Sequence, residues 1–143
     1  MPLIRITAPE GKLNKQDQDK LVKKISNAVL NAERAPLDHA GAQSLTWAYY
    51  IEQPVGTLYV GGDNIENPPF HIAVTTPEGA LNPTTRKELV EEIGTAVDEI
   101  VGVYEGRLNH WTMLDELDEG SWAGSGQIFP LSGIQAAMNI KAA

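Results

Sequence analysis

The sequence contains no cysteine, which excludes a disulfide framework, a thiolate nucleophile and a cysteine-ligated metal. Basic residues are scarce as well: 11 lysines and arginines face 19 acidic residues, and the net charge of −8 argues against nucleic acid or an anionic membrane surface as a partner. No apolar run approaches the roughly 18 residues of a membrane span. The start of the chain also lacks the apolar core of a secretory signal, so we expect a cytoplasmic protein.

Metal-ligand spacing is absent too. His39, His71 and His110 lie far apart in the sequence, and no metal site is expected. With 143 residues, of which 42% are apolar, the chain is the size of one domain and can bury a substantial core. We therefore expect a single domain over residues 1–143.

The most informative feature that is present is an internal repeat. Residues 3–32 and 71–100 align without a gap at a constant offset of 68 positions. The motif Pro-Glu-Gly-x-Leu-Asn occurs at 9–14 and again at 77–82, each time between a short apolar run and a helical pattern. The apolar helix positions also coincide: Leu21, Val22, Ile25, Ala28 and Val29 correspond to Leu89, Val90, Ile93, Ala96 and Val97. A pseudo-symmetric fold follows.

Each copy is completed by a β-rich segment, which we expect at 44–51 in the first half and at 108–114 in the second. The repeat halves are then two β–α–β units, 2–66 and 69–130, each with a parallel pair of strands. Side by side they form a four-stranded sheet with two helices on one face, an α/β (α+β) fold. The opposite face of the sheet is apolar and has no cover within the chain, so we expect a closed homo-oligomer.

The pattern Pro-x-Ile-x-Ile-x-x-x-Glu-Gly begins at Pro2 and ends at Gly11, and the segment 51–62 combines a glutamate, a glycine and a Gly-Gly pair. These motifs resemble the 4-oxalocrotonate tautomerase family. The duplicated unit is similar to the fused branch of that superfamily, which includes cis-3-chloroacrylic acid dehalogenase-like proteins and malonate semialdehyde decarboxylase. The resemblance implies a tautomerase/MIF-like fold, a homotrimer, an amino-terminal proline as catalyst and no cofactor.

Pro2 has the right chemistry for that role. At a chain terminus, proline is a secondary amine, and an α-amino group has a pKa of roughly 7.7–8.0. An apolar pocket disfavours the ammonium form and lowers this pKa, which makes the neutral amine a general base near neutral pH. A different pocket that keeps it protonated makes it a general acid. Either role requires that Met1 is removed, as a small following residue normally permits, because the Pro2 nitrogen is otherwise an inert amide.

Substrate-binding candidates follow from the resemblance. Lys12 stands where the short tautomerases have a carboxylate-binding arginine; it keeps the charge but loses the bidentate fork. Plain solvation is the equal alternative for Lys12, and Arg5 on the first strand is its rival. Asp38 lies close to the acidic residue of the decarboxylase branch, although its spacing differs by one.

The segment from Trp122 to Phe129 is similar to the late Trp–Gly-x-Gly–Phe segment that lines the decarboxylase pocket, so Trp122 is either a pocket wall or a subunit contact. The paired arginines of the dehalogenase-like proteins are missing, since Ala80 occupies the second-copy position of Lys12. Their first-helix histidine falls on Val29. The residues that would activate water are therefore absent.

The resemblance and the residues together predict a tautomerase: keto–enol proton transfer on a small 2-oxo or enol carboxylic acid, with Pro2 as general base. The expected partners are this small carboxylate substrate and further copies of the chain. Two alternatives stay open. One is a decarboxylase or hydratase of a small 3-oxo or unsaturated acid, and the other is a trimer whose catalytic site has decayed.

Overall fold

The structure is a computed structural model that describes residues 1–141, so the last two positions of the expected domain lie outside the described residues. In chain order its elements are β1 (Leu3–Pro9), α1 (Lys15–Ala32), α2 (Ala40–Ser44), β2 (Trp47–Gln53), β3 (Tyr59–Val60), β4 (Asp63–Asn64), β5 (Phe70–Pro77), α3 (Pro83–Ile100), β6 (His110–Leu117), β7 (Ala123–Gly124), β8 (Gln127–Ile128) and α4 (Leu131–Ala137). No helix of the described part is long and apolar enough to cross a membrane.

The two long helices begin at equivalent positions for the same physical reason. Each has 18 residues and follows an asparagine whose side chain accepts a hydrogen bond from the first turn, at Asn14 and at Asn82. Asn82 and Thr85 form a reciprocal capping box, and Pro83 occupies the first helical position, where its missing N–H costs nothing. The helix starts expected from the repeat are thereby confirmed.

The four long strands form one sheet in the order β2–β1–β5–β6. The pairs β1–β2 and β5–β6 are parallel, as expected for two β–α–β units, and the central pair β1–β5 is antiparallel. In that central pair Arg5 lies opposite Ala73, its own counterpart in the repeat. A pseudo-twofold axis therefore passes between these residues, and the start of β1 lies beside the end of β5.

One face of the sheet packs against both helices and forms the core, which confirms the predicted layer arrangement. Alternate residues of β1 and β5 point to this face, among them Ile4, Ile6, Ile72 and Val74, and all four are fully buried. The helices contribute the repeated apolar positions from the sequence; Leu21, Ile25, Val29, Leu89, Ile93 and Val97 are fully buried.

The other face of the sheet has no cover within the chain. The outer strands present large apolar side chains there, namely Trp47, Tyr49 and Ile51 from β2 and Trp111, Met113 and Leu117 from β6, all of them exposed. Trp47 and Trp111 occupy equivalent places, since they pair with Leu3 and with His71, its repeat counterpart. The uncovered apolar face expected from the sequence is confirmed.

Strand boundaries differ from the sequence prediction at two places. β2 begins only at Trp47, because residues 40–44 form the short helix α2, in which His39 Nδ1 accepts a hydrogen bond from the Ala42 N–H at 3.3 Å. β6 extends to Leu117 instead of ending at 114. Its parallel pairing with β5 continues to Pro77, so the ladder of hydrogen bonds holds Asp115 and Glu116 in a strand despite their low β-propensity.

A small hairpin follows the last strand of each half. In the second half, β7 and β8 are joined by Ser125 and Gly126, whose φ values of 50° and 78° fit the two-residue turn that matches strand twist. α4 then packs beside this hairpin, against Trp122 and Phe129. Ile134 and Met138 form a second small core with Leu30 and Ala42. This additional layer lies at the end of the sheet where Pro2 begins the chain's first strand.

Candidate active site

Pro2 immediately precedes β1 and is buried. Its carbonyl oxygen accepts a hydrogen bond from the backbone N–H of Trp47 at 3.2 Å, which continues the pairing of β1 with β2 and fixes the orientation of the ring. Pro2 lines a cavity of about 500 Å³. The strand pairing thus holds the proline nitrogen at the wall of a substrate-sized space.

The walls of this cavity are apolar and largely aromatic. They come from the start of the chain, from Trp47 on β2, from Trp122 and Phe129 flanking the β7–β8 hairpin, and from Ile134 on α4. None of the described residues that line it has a charged side chain. Such an environment disfavours a charged amine and favours binding of an apolar substrate body.

The hairpin β7–β8 sets the position of the aromatic walls. The Phe129 N–H donates to the Trp122 carbonyl oxygen at 2.9 Å, which closes the hairpin and brings the two rings to the same side of the cavity. A Cβ at Gly124 would lie 3.2 Å from Phe129 Cε2, so any larger residue there would have to displace the Phe129 ring slightly.

A buried carboxylate lies next to the chain terminus. Glu33, the residue that caps the C-terminus of α1, is only 4% exposed, and its Oε2 is 3.6 Å from the Met1 ammonium nitrogen. That nitrogen is also 2.8 Å from Met138 Sδ. Burial lowers the pKa of the Met1 amine and raises the pKa of Glu33, in each case more than their mutual attraction opposes it. Burial therefore drives both groups toward their neutral forms.

Thr76 adds a third polar group at this end of the sheet. Leu3 pairs with Thr75, and the same antiparallel register continued by one residue sets Thr76 opposite Pro2. Its side chain is buried, and its hydroxyl has no hydrogen-bond partner among the described residues. A terminal residue, an aromatic cavity and two buried polar groups without hydrogen bonds thus converge at the start of β1.

Known structures share this architecture. A member of the cis-3-chloroacrylic acid dehalogenase family, N1, superposes with a TM-score of 0.75 at 13% identity, over 94% of this chain and 87% of that one. An asymmetric trimer, R7 fused 4-OT, gives 0.73 at 14% identity over 88% and 94% of the two chains. The chain has the tautomerase-superfamily fold. The family suggested by the sequence motifs is matched at the level of the fold.

A third structure with the tautomerase fold is Pt0534 inactivated by 2-oxo-3-pentynoate, with a TM-score of 0.71, 22% identity, and coverage of 87% of this chain and 93% of that one. No family model and no curated protein matches the sequence. Because identity is low throughout, the likeness extends to the fold, and the chemistry has to be argued from the residues of this chain.

Two of the residues proposed from the sequence meet in the cavity of this tautomerase fold, and three do not. Pro2 and Trp122 both line the cavity. Arg5 is exposed in the middle of β1 on the open sheet face, and Asp38 is exposed in the connection between α1 and α2. Within one chain these two side chains do not reach the cavity wall.

Lys12 lies at the opposite end of β1 from Pro2. The strand between them has seven residues and spans about 20 Å. Lys12 Nζ donates to Asn67 Oδ1 at 3.2 Å and lies 5.5 Å from the centre of the Tyr104 ring. Because β1 and β5 are antiparallel, the turn beside Pro2 belongs to the second copy, where Ala80 replaces Lys12. A role for Lys12 at the cavity therefore requires a neighbouring copy of the chain.

Sequence reasoning missed Glu33. An acidic residue at a helix end beside Arg34 is typical of a solvated position, but here the chain start, the turn at Pro77 and Ala80, and α4 surround it. One signal was available: Glu33 aligns with Val101 at the repeat offset, so a charge replaces an apolar residue in one copy alone. Among the described residues, no group of three histidines, aspartates or glutamates could hold a metal ion.

Proposed function

We propose that this protein catalyses keto–enol proton transfer on a small 2-oxo or enol carboxylic acid, with Pro2 as the general base. The observation that carries the proposal is the burial of Pro2 at the wall of an apolar cavity of about 500 Å³. Once Met1 is removed, the ring nitrogen is a secondary amine facing that space. Apolar walls keep a fraction of it neutral near neutral pH, as a general base requires.

In this proposal the amine accepts the enol hydroxyl proton and returns it to the adjacent carbon, so no co-reactant is consumed. The negative charge that develops is an enolate, which hydrogen-bond donors in the completed site would stabilise. The aromatic side chains of Trp47, Trp122 and Phe129 contact the apolar part of the substrate. Pt0534, inactivated by 2-oxo-3-pentynoate, is a precedent with the same fold for a reactive 2-oxo acid.

The substrate carboxylate requires a cation that the cavity lining of one chain does not supply. We propose that the protein is a homotrimer and that Lys12 or Arg5 of a neighbouring copy completes the site. The exposed apolar face of β2 and β6 supports assembly, since a face of this kind on a soluble domain is normally buried in an interface. Fused 4-OT structures have been described as trimers, both asymmetric and symmetric.

Decarboxylation of a 3-oxo acid is the second candidate, and Glu33 specifically favours it. A carboxylate beside the terminal amine raises the fraction of the ammonium form, and this form is the general acid that decarboxylation needs. The acid would protonate the carbon that loses carbon dioxide. Trp122 in the cavity wall, within the segment similar to that of the decarboxylase, is consistent with this candidate.

Two measurements on the purified chain test the proposal. The intact mass shows whether Met1 is absent, which the amine chemistry requires. Ketonisation of phenylenolpyruvate, followed by absorbance, then tests for enol chemistry, and carbon dioxide release from a 3-oxo acid tests the second candidate. Catalysed ketonisation by the chain without Met1 is the expected result. Retention of Met1, or no catalysis of either reaction, would support a decayed site instead.

A further inference from the structure

Glu33 has the one charged side chain among the buried residues in the described part of the chain. Its carboxylate has no hydrogen-bond partner among the described residues, and its only charged neighbour there is the terminal ammonium at 3.6 Å. It also lies at the C-terminus of α1, where the helix dipole disfavours a negative charge. Desolvation and the dipole act in the same direction, so stability alone does not explain an acid at this position.

The second half of the chain provides an internal control, because the described residues there bury no charged side chain. Its buried Asn109 side chain is hydrogen-bonded, since Nδ2 donates to Asp98 Oδ1 at 2.8 Å and to the Gly102 carbonyl oxygen at 2.7 Å. Val101 caps α3 as Glu33 caps α1, and it packs against the apolar core. The repeat counterparts of Pro2 and Thr76 are likewise apolar and fully buried. They are Phe70 and Ala8, 1% and 0% exposed. The three polar or catalytic positions are thus confined to the end of the sheet that has the cavity.

We propose that Glu33 is a positioning residue for the terminal amine of Pro2, and that its carboxylate holds the protonated amine in place between the two proton transfers. This inference rests on the proposed function, in which Met1 is absent. Loss of Met1 removes the present partner of Glu33 and opens the space between the carboxylate and the Pro2 nitrogen. The Pro2 nitrogen, one residue further along the chain and held by the Trp47–Pro2 hydrogen bond, then becomes the terminal amine beside this carboxylate.

The proton balance is simple. The Pro2 amine takes the proton from the enol oxygen and becomes a secondary ammonium, which pairs with the Glu33 carboxylate. The ammonium then delivers the same proton to the substrate carbon, and the amine is regenerated. Glu33 is unchanged over the cycle; it stabilises the charged intermediate and makes the amine a stronger base.

No other ionisable side chain competes at this position. Apart from Met1 and Glu33, the described residues that line the small space around the terminus are Pro77, Ala80, Leu131, Ile134, Gln135 and Ile140, all of them uncharged. Arg34, the residue after Glu33, pairs with Glu88 at 2.8 Å instead. Between β6 and β7, the Glu119 carboxylate accepts a hydrogen bond from the Leu131 N–H. The terminal amine and the Glu33 carboxylate are therefore the groups that gain or lose a proton in this space.

The decisive measurement is the pKa of the Pro2 amine, read by ¹⁵N NMR of the full chain labelled with ¹⁵N-proline, after its mass confirms that Met1 is absent. In Glu33→Gln, which keeps the shape and removes the charge, we expect this pKa to fall by about one unit or more. Glu33→Asp should retain part of the effect. Glu105→Gln makes the same change on an exposed loop residue and should leave the pKa unchanged.

Ketonisation supplies a second readout. In Glu33→Gln we expect kcat to fall about tenfold with little change in KM, and the acidic limb of the pH–rate profile to move to lower pH. An unchanged amine pKa in Glu33→Gln would overturn the inference, whatever the activity. A shifted amine pKa in a chain that does not catalyse ketonisation would overturn the proposed function and leave the amine–carboxylate pair established.

If Glu33→Gln fails to fold, the same two measurements are made on Glu33→Val, because valine is the residue at the equivalent helix end in the second half. Failure of both variants to fold would show that Glu33 is required for structure, and the inference would be wrong.

Discussion

The two ends of the central strand pair are related by the repeat but differ in chemistry. At the end where β1 begins, Pro2 borders an aromatic cavity and Glu33 and Thr76 are buried without hydrogen bonds. At the end where β5 begins, Phe70 fills the equivalent place, and its N–H donates to the Asn109 carbonyl oxygen at 2.8 Å. The same backbone plan therefore supports a reactive site at one end and ordinary core packing at the other.

Basic residues also differ between the two ends. Near Phe70, the ring of Tyr104 lies between Lys12 and Arg107, with the guanidinium carbon 4.5 Å from the ring centre. Arg107 also donates to the carbonyl oxygens of Glu66 and Asn67, at 2.9 and 2.6 Å. These contacts fasten the junction between the halves. At the Phe70 end, Lys12 and Arg107 thus hold the junction between the halves through Tyr104, whereas a buried carboxylate lies beside the chain terminus at the Pro2 end.

The largest expected effect is that of Pro2→Ala. If only the Pro2 end is catalytic, this change should lower the rate of ketonisation by a factor on the order of 10² or more, which is the usual contribution of a general base. Pro69→Ala, which alters a proline beside Phe70 at the other end, is the matched control and should leave the rate unchanged. Full activity in Pro2→Ala would remove the catalytic distinction between the two ends.

Variants of Lys12 test whether this lysine of one copy of the chain contacts the substrate beside Pro2 of a neighbouring copy. Removing a partly desolvated charge contact costs roughly 1.5–3 kcal/mol. Lys12→Ala should therefore raise KM for an acidic enol about tenfold or more, and Lys12→Arg should largely preserve binding. Steady-state kinetics at fixed pH measure both. If Lys12→Ala has a normal KM and Arg5→Ala has a raised KM, the cation that binds the substrate carboxylate is Arg5, on the open sheet face, and not Lys12.

Assembly is tested by placing a charge on the open face. Trp111 is 67% exposed in the single chain, and Trp111→Glu should reduce a trimer to the 15.5 kDa chain, because an interface disfavours an unpaired buried carboxylate. Val90→Glu, on the solvent side of α3, is the control and should leave the mass unchanged. Light scattering at micromolar concentration measures both. A wild-type mass of one chain would contradict the proposed assembly.

The smallest effect concerns stability against pH in the chain that keeps Met1. The raised pKa of Glu33 means that the folded state binds more protons than the unfolded state just above pH 4.5, so stability falls as pH rises through this window. The lowered pKa of the Met1 amine has the opposite effect just below pH 8.0, where stability rises with pH. We therefore expect a shallow minimum in stability between the two windows.

Glu33→Gln should remove the falling limb of that profile and raise the melting temperature at the minimum by about 2–4 °C. Circular dichroism melts across the pH series measure this, with Glu105→Gln as the control that keeps the wild-type profile. A wild-type melting temperature that rises steadily from pH 4.5 to pH 8.0 would contradict the sign that the buried carboxylate predicts.

Much of the fold could be predicted from the sequence because it follows from local rules repeated twice. Period-two and period-3.6 apolar patterns fixed the layers, and Asn14 and Asn82 marked the helix starts. The end of β6 could not be predicted in this way, since Asp115 and Glu116 enter the strand only through their pairing with β5. Tertiary hydrogen bonding overrode the local preference of these residues.

The candidate site was less predictable than the fold. Pro2 and Trp122 were identified from motifs, and both line the cavity. Lys12 was proposed because it stands where the short tautomerases have a carboxylate-binding arginine. Because β1 and β5 pair in antiparallel fashion, however, the turn that lies beside Pro2 is the one from the second copy. Glu33 was missed because its burial depends on α4, which lies about a hundred residues away in the chain and follows no repeat.

The pairing of Arg5 with Ala73 has a further consequence for stoichiometry. Two units joined end to end create two equivalent strand starts, but a polypeptide has a single amino terminus. A reagent selective for the secondary amine of a terminal proline should therefore saturate at one equivalent per chain, although the repeat provides two strand starts. At the second strand start, the Phe70 nitrogen is a main-chain amide that donates to the Asn109 carbonyl oxygen, so it cannot act as an amine.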